Sequence, residues 1–262
     1  MIRPSLELVS NDPDNLVVAA NRFPAAGAEL RDSRDLLRRV DSKFVATRAQ
    51  AIGVLAAIAD DYAALTVPSG NVAVYKSLYF DTGDLRCFHD HRRGRRLRHK
   101  VRIRHYPDRL LSYLEVKTKR NEVVTDKSRI PIPFREEWLG AGEQQFLAAR
   151  VDLPIDDLRP VMRIDFRRVS LVGLRTAERV TVDLAMSAEG LDGARWSFGD
   201  LVVIEVKQSP FCARTPVMRA LNAHHVREGS MSKYTVATAL LRRELRCNRL
   251  LPEVRRIERM SA

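Results

Sequence analysis

Cysteine is scarce and scattered in this 262-residue chain. Cys87, Cys212 and Cys247 stand alone, an odd number with neither zinc-ligand spacing nor the pattern of a disulfide framework. That excludes a disulfide-stapled scaffold and a zinc module. Met1 to Val18 shows no basic start followed by an apolar block, so a secretory signal is not expected and a reducing, cytoplasmic location is. Long apolar runs are also missing. The longest, Ala51 to Ala59, is too short to span a bilayer and stops at Asp60 and Asp61. Aromatic residues make up 6% of the chain, which leaves little stacking surface for single-stranded nucleic acid. There is no Walker-type phosphate loop, no Gly-x-Gly-x-x-Gly turn and no kinase signature set. A nucleotide would therefore have its phosphates held by side chains and not by a helix N-terminus.

Positive charge is what the chain has in excess. Lys and Arg number 45 against 33 Asp and Glu, a net charge of +12 that favours phosphate-rich partners. The charge is ordered between Arg95 and Tyr106. Arg96, Arg98, Lys100, Arg102 and Arg104 occupy every even position, and Leu97, His99, Val101 and Ile103 lie between them. On a strand this pattern gives one cationic and one largely apolar face; on a helix it leaves no apolar stripe. Same-face neighbours about 7 Å apart repel by roughly 2 kcal/mol at an effective dielectric of about 20. An enclosed face of this kind needs acidic partners or a polyanionic ligand. The solvated alternative, an open basic surface, would mark a non-catalytic polyanion or nucleic-acid binder.

Along the chain, residues 1–33 read as a poorly ordered N-terminal extension, 34–250 as a single domain and 251–262 as a C-terminal tail. Strands are expected at Arg39 to Val45, Val72 to Asp81, the basic run, Leu111 to Lys119, a short piece holding Lys127 and Arg129, Val161 to Leu171, Arg179 to Leu184 and Leu201 to Lys207. Thr47 is placed to cap a helix over 48–64, and further helices are read at 134–150, 215–226 and 235–250. About eight strands with charged faces suit a barrel that packs its outside under helices and holds a slender ligand inside. The fold class is therefore α+β, an eight-stranded antiparallel β-barrel tunnel with flanking helices.

Five segments in order, Tyr75-Lys-Ser-Leu-Tyr-Phe-Asp-Thr82, Lys100-Val-Arg-Ile-Arg-His-Tyr106, Leu114-Glu-Val-Lys117, Ile204-Glu-Val-Lys207 and Ser232-Lys-Tyr234, resemble the VTC domain. That domain is the polyphosphate polymerase module of the vacuolar transporter chaperone complex and its bacterial relatives, in the triphosphate tunnel superfamily with the CYTH phosphatases. The resemblance implies transfer of the terminal phosphate of ATP to a growing polyphosphate chain, assisted by Mn2+ or Mg2+. It assigns phosphate contacts to Lys43, Arg102, Arg104, Lys117, Lys127, Arg168 and Lys233, and the metal-side carboxylate to Glu205. Arg179 and Asp183 match a further Arg-x-Thr-x-Asp element; Asp183 and Glu115 are additional metal candidates, with an ion pair as the alternative for Glu115. Lys100, Arg98, Arg179 and Tyr79 are further substrate-binding candidates. The family's Glu-x-Lys-Tyr start is Asp41-Ser42-Lys43-Phe44 here, and Arg39 stands where a CYTH glutamate would be, which favours polymerase over phosphatase. Implied partners are ATP and inorganic polyphosphate, with no specific nucleic acid; polymer export would fall to a separate membrane protein. A CYTH-like hydrolase of tripolyphosphate or nucleoside triphosphate is the competing enzyme.

Overall fold

Strand pairing, not helix packing, organises the chain. The computed structural model describes residues 14–33, 39–120, 125–229 and 231–261. In order the elements are α1 (Asp14–Ala20), α2 (Ala28–Ser33), β1 (Val40–Thr47), α3 (Arg48–Ala57), β2 (Tyr62–Ala64), β3 (Val72–Asp81), α4 (Arg86–Arg93), β4 (Arg98–Tyr106), β5 (Leu111–Lys119) and β6 (Thr125–Ile132). Then come α5 (Ala141–Ala148), β7 (Arg159–Gly173), β8 (Glu178–Gly190), β9 (Arg195–Ser197), β10 (Leu201–Gln208), α6 (Pro216–Ala223), α7 (Lys233–Leu241) and α8 (Leu251–Ser261). Eight strands are hydrogen-bonded in the order β1-β10-β8-β7-β3-β4-β5-β6, matching the expected number, and the short β2 and β9 pair with β7 and β8. The result is an antiparallel α+β fold.

The chain divides into two units, residues 1–72, 169–182 and 202–229, and residues 73–168, 183–201 and 230–262. In the first unit the expected cap is present. Thr47 Oγ1 accepts from Gln50 N at 3.3 Å and Gln50 Oε1 accepts from Thr47 N at 3.0 Å, a reciprocal capping box that starts α3. This helix ends at Ala57, not near residue 64. After the Asp60-Asp61 turn, Tyr62–Ala64 pairs with Leu171–Gly173, and the Tyr62 hydroxyl donates to the buried Glu178 carboxylate. Gly53 lies where a Cβ would stand 2.4 Å from the His224 imidazole, so α3 and α6 approach at a point only glycine permits. Residues 14–33, expected as extension, carry α1 and α2, with Leu16, Ala20 and Phe23 buried. The earlier residues of that stretch lie outside the described part.

The second unit is built on the antiparallel meander β3-β4-β5-β6. Its register places Tyr79 opposite Arg102, Arg102 opposite Glu115, and Glu115 opposite Arg129. Leu78, Phe80, Val101, Ile103, Leu114 and Val116, of the other parity, are all buried. The sequence reading missed α4. Its first turn is held by Asp81, which accepts from the backbone N of Cys87 (2.8 Å) and Phe88 (3.0 Å), and its end is marked by Gly94 at φ 69°. The helix expected over 134–150 is confined to Ala141–Ala148, because Gly140 takes the extended N-cap position. That expected over 235–250 starts earlier and ends at Leu241; Ser232 Oγ caps it by accepting from Thr235 N at 3.3 Å. The expected tail is the helix α8, which buries Val254 and Ile257.

Candidate active site: a cationic face of β3-β4-β5-β6

Alternation along β4 carries across its neighbours because strand register aligns like with like. On one face of the meander stand Arg98, Lys100, Arg102 and Arg104 of β4, Lys117 and Lys119 of β5, and Lys127 and Arg129 of β6. Among these positions of β4, β5 and β6 the single carboxylate is Glu115; Asp81 of β3, with the parity of Tyr79, is taken up by Tyr234 and the first turn of α4. Eight cations against one anion is an arrangement that self-repulsion disfavours unless a counter-ion sits there.

Glu115 is almost fully buried, and cations converge on it. Arg102 donates from Nη2 at 2.6 Å and Nε at 2.8 Å, Lys127 Nζ lies at 2.7 Å, and Arg104 Nη1 at 3.9 Å. Tyr106 OH donates weakly at 3.4 Å. Burial alone would raise the Glu115 carboxyl; Arg102, Arg104 and Lys127 overcome it and hold the group well below the usual carboxylate range. Burial of the Lys127 ammonium outweighs Glu115, aided by Arg102 and Arg104, and brings it down from 10.5 to about 8. Arg102 also donates from Nη1 to the Tyr79 hydroxyl at 3.0 Å. Burial works to raise that phenol, but Arg102, Arg104 and Lys233 prevail and lower it, making it a sharper proton donor.

A second ion cluster follows the same plan. Asp183 receives Arg168 through two hydrogen bonds, Nε to Oδ1 at 2.5 Å and Nη2 to Oδ2 at 2.8 Å, and also receives Lys233 Nζ. Burial opposes ionisation of Asp183, but Arg168 and Lys233 hold its carboxyl far below the ordinary value. Arg163 and Arg167 are exposed, Arg163 pairing with Glu137 at 2.7 Å, while Arg168 shares the face of Phe166.

Aromatic rings line this charged face. Tyr75 stacks on Phe166 with centroids 5.1 Å apart, and the Arg104 and Arg168 guanidiniums lie 5.4 and 5.0 Å from the Tyr75 ring. Lys233 Nζ lies 4.7 Å from the Phe166 ring, and Arg129 4.5 Å from Tyr113. Tyr79 stacks on Tyr234 at 5.1 Å, whose hydroxyl donates to Asp81 at 2.5 Å. Five of the six tyrosines of the chain thus belong to the site or its backing. The low aromatic content conceals a local concentration. Tyr75 and Tyr79 share parity with Ser77, which accepts from Arg104 Nε at 3.1 Å, and that alternation in β3 was the available signal.

Of the residues singled out in the sequence, the second unit brings Tyr79, Arg102, Arg104, Glu115 and Lys127 into one cluster and Arg168, Asp183 and Lys233 into another. Lys100 Nζ donates to Ser232 Oγ at 2.7 Å, and Arg98 and Lys117 continue the face toward its outer end. Arg96, counted with the even positions, precedes β4 and lines a separate hollow. Lys43, Arg179 and Glu205 belong to the first unit. There Lys43 is half-buried in β1, Arg179 Nη2 donates to the Arg31 carbonyl at 2.9 Å, and Glu205 pairs with Lys207 at 2.9 Å. Among the described residues no group of three or more His, Cys, Asp or Glu is placed to hold a metal ion. Glu115 and Asp183 fit a metal poorly, since cations already occupy both carboxylates. Glu205, half-buried and paired with Lys207, is the carboxylate of the set whose chemistry fits a hard divalent ion that takes most of its ligands from phosphate and water.

Comparison with solved structures shows the fold. A candidate adenylate cyclase from Bacillus halodurans superposes with a TM-score of 0.50 at 11% identity, over 74% of this chain and 94% of its own. A candidate adenylyl cyclase from Hippeastrum, described as having a dominant triphosphatase activity, gives 0.48 at 12% identity over 77% and 96%. A candidate adenylate cyclase from Vibrio parahaemolyticus gives 0.45 at 11% over 75% and 95%. No curated protein matches the sequence. The profile of the VTC domain matches residues 38–242, the stretch that contains every residue of the clusters above, and the chain belongs to the VTC domain family.

Proposed function

We propose that this protein is an ATP-dependent polyphosphate polymerase, transferring the terminal phosphate of ATP to a growing inorganic polyphosphate chain. Membership of the VTC family supports a phosphate-transfer or hydrolysis enzyme. The observation that carries the finer reading is the row of cations from Arg104 to Arg98, with Lys117, Lys119 and Lys127 alongside. At about 3.4 Å per residue that row is roughly 20 Å long, more than three phosphates need.

Phosphoryl transfer requires placement and charge stabilisation far more than covalent help. Arg102, Arg104 and Arg168 offer planar forks that keep their proton and match phosphate oxygens. Lys127, Lys117, Lys100 and Lys233 act as point charges. The Tyr79 hydroxyl, accepting from Arg102, turns its own proton toward a phosphate oxygen. Glu115 and Asp183 serve as resident counter-ions that hold the guanidiniums in place until phosphate arrives. Lys43, Arg98 and Arg179 keep the phosphate-binding roles that the family resemblance gives them. Glu205 would hold the Mn2+ or Mg2+, which supplies charge neutralisation on phosphate oxygens.

Incubation with ATP and Mn2+ should yield ADP and long anionic chains destroyed by an exopolyphosphatase, with product lost in Arg102→Ala and metal dependence weakened in Glu205→Gln. Release of orthophosphate with no polymer would make the protein a tunnel triphosphatase instead. Among the described residues no helix is long and apolar enough to cross a membrane. A cytoplasmic location, and export of polymer by a separate membrane partner, are part of the proposal and rest on the family resemblance and the sequence.

A further inference from the structure

We propose that the second unit carries another anion site, for a small phosphate dianion such as orthophosphate or pyrophosphate, in a hollow bounded by α4, the start of β4 and Asp152. The hollow has a volume of about 270 Å3 and is lined by Arg86, Asp90, Arg95, Arg96, His99 and Asp152. At about 30 Å3 per water it takes roughly nine waters, room for one or two phosphoryl groups but not for an enclosed nucleotide.

Three guanidiniums meet there, and two are already aimed. Asp90 receives Arg95 Nε at 3.1 Å and Arg86 Nε at 3.9 Å, while Asp152 receives Arg86 Nη2 at 3.2 Å. Three cations against two carboxylates leave a net positive hollow. Asp152 is 79% exposed, so it can swing aside as an anion replaces it on Arg86. No metal competes for the same place: these residues form no group of three metal-ligating side chains.

His99 supplies the independent observation. It has the parity opposite to Arg98 and Lys100, so it belongs to the other face of β4. Its side chain is 94% buried, and its Nε2 is sealed from water without a hydrogen-bond partner. Nδ1 lies 2.9 Å from Thr118 Oγ1, which fixes the ring. With the Thr118 hydroxyl donating to Nδ1, the imidazole carries its proton on Nε2, a donor waiting for an acceptor. Buried donors without partners are rare because their desolvation is uncompensated. Once the exposed Asp152 swings aside and the hollow opens to this nitrogen, an anion oxygen with guanidinium forks above it would complete the ring's bonding. Burial, which lowers the ring's proton affinity, keeps His99 neutral until then.

The test uses the full chain with 15N-labelled histidine rings, six in all. Orthophosphate and pyrophosphate are titrated separately at ionic strength held constant with chloride, and the His99 signal is assigned with His99→Gln. A saturable shift of His99 Nε2 is expected, with affinity about tenfold weaker in Arg96→Ala, the loss of one charge-assisted contact. Binding of long-chain polyphosphate to the cationic face should be unchanged in that exposed-site variant. Saturation by only one of the two anions would identify the ligand. A His99 signal that does not move, moves without saturating, or responds equally in wild type, Arg95→Ala and Arg96→Ala overturns the site.

Discussion

Replacing Glu115 by Gln keeps the shape of the side chain and removes the one carboxylate among the eight cations that β4, β5 and β6 place on the face. In the free protein this leaves Arg102 and Lys127, at 2.6 and 2.7 Å, with no compensating charge, and Arg104 at 3.9 Å repelled by both. Breaking one partner of a buried ion pair costs about 3–5 kcal/mol, and a carboxylate shared by several cations belongs at the upper end. For a chain of this size each kcal/mol moves Tm by roughly 2–4 °C, so the variant should melt about 10–20 °C below wild type at low salt. Long-chain polyphosphate should restore much of the loss. A ligand at about a hundred times its Kd contributes roughly 2.7 kcal/mol to any native state it binds. In the variant its Kd is also lower, because no resident carboxylate competes for the guanidiniums.

Thermal unfolding with and without polyphosphate, at low and high salt, reads both effects. A depressed carboxyl contributes stability that is present above its unfolded value, 4.5, and lost only as pH falls below it toward the folded value. The gap between wild type and variant should therefore stay flat from about pH 6 to pH 8 and close in acid. A Glu115→Gln protein that melts with wild type and binds polyphosphate more weakly would refute the counter-ion role. It would mean that Glu115 acts on the ligand's side, as a metal ligand would.

Three further outcomes follow from the same geometry. Affinity for long-chain polyphosphate should fall as pH rises through and somewhat above 8, where Lys127 loses its proton, the bound anion moving the inflection upward. Lys127→Arg, charged throughout, should remove that limb of the profile. Arg104→Lys keeps the charge but loses the Nε contact to Ser77 and the guanidinium contact with both the Tyr75 and Phe166 rings. Turnover should drop by about a hundredfold with a smaller effect on polyphosphate binding, since a point charge cannot replace an oriented fork. Tyr234→Phe should cost roughly 1–3 kcal/mol in denaturant unfolding by removing a donor from buried Asp81. The ring still stacks on Tyr79, so polyphosphate affinity should be retained.

How far the site was legible depends on what strand geometry encodes. Period-two alternation fixes the face of each residue on a strand, so the basic run of β4 and the Tyr113, Glu115, Lys117 row of β5 could be read directly. Partners depend on register, which alternation does not contain. Arg102 meets Glu115 because the turn after Tyr106 sets β4 against β5 at that offset, and Lys127 arrives from β6 only through the next pairing. Asp183 draws Arg168 from 15 residues away and Lys233 from 50, distances over which local pattern is silent. Helix ends failed for a different reason. The segment 51–64, apolar on either side of Asp60 and Asp61, satisfies helix and strand patterns alike, and the switch to β2 comes from Tyr62 finding buried Glu178. The helix α4 was hidden because Cys87 and Phe88 are its only apolar residues. Yet His91, Arg92 and Arg93 in its last turn followed by Gly94 are a C-terminal signature, cations at the negative helix end and then a left-handed residue. Charge that looks like an unstructured basic loop can therefore be helix-terminating charge. The same ordering brings Arg86, Arg95 and Arg96 around His99, where composition alone predicts only solvent-exposed arginines.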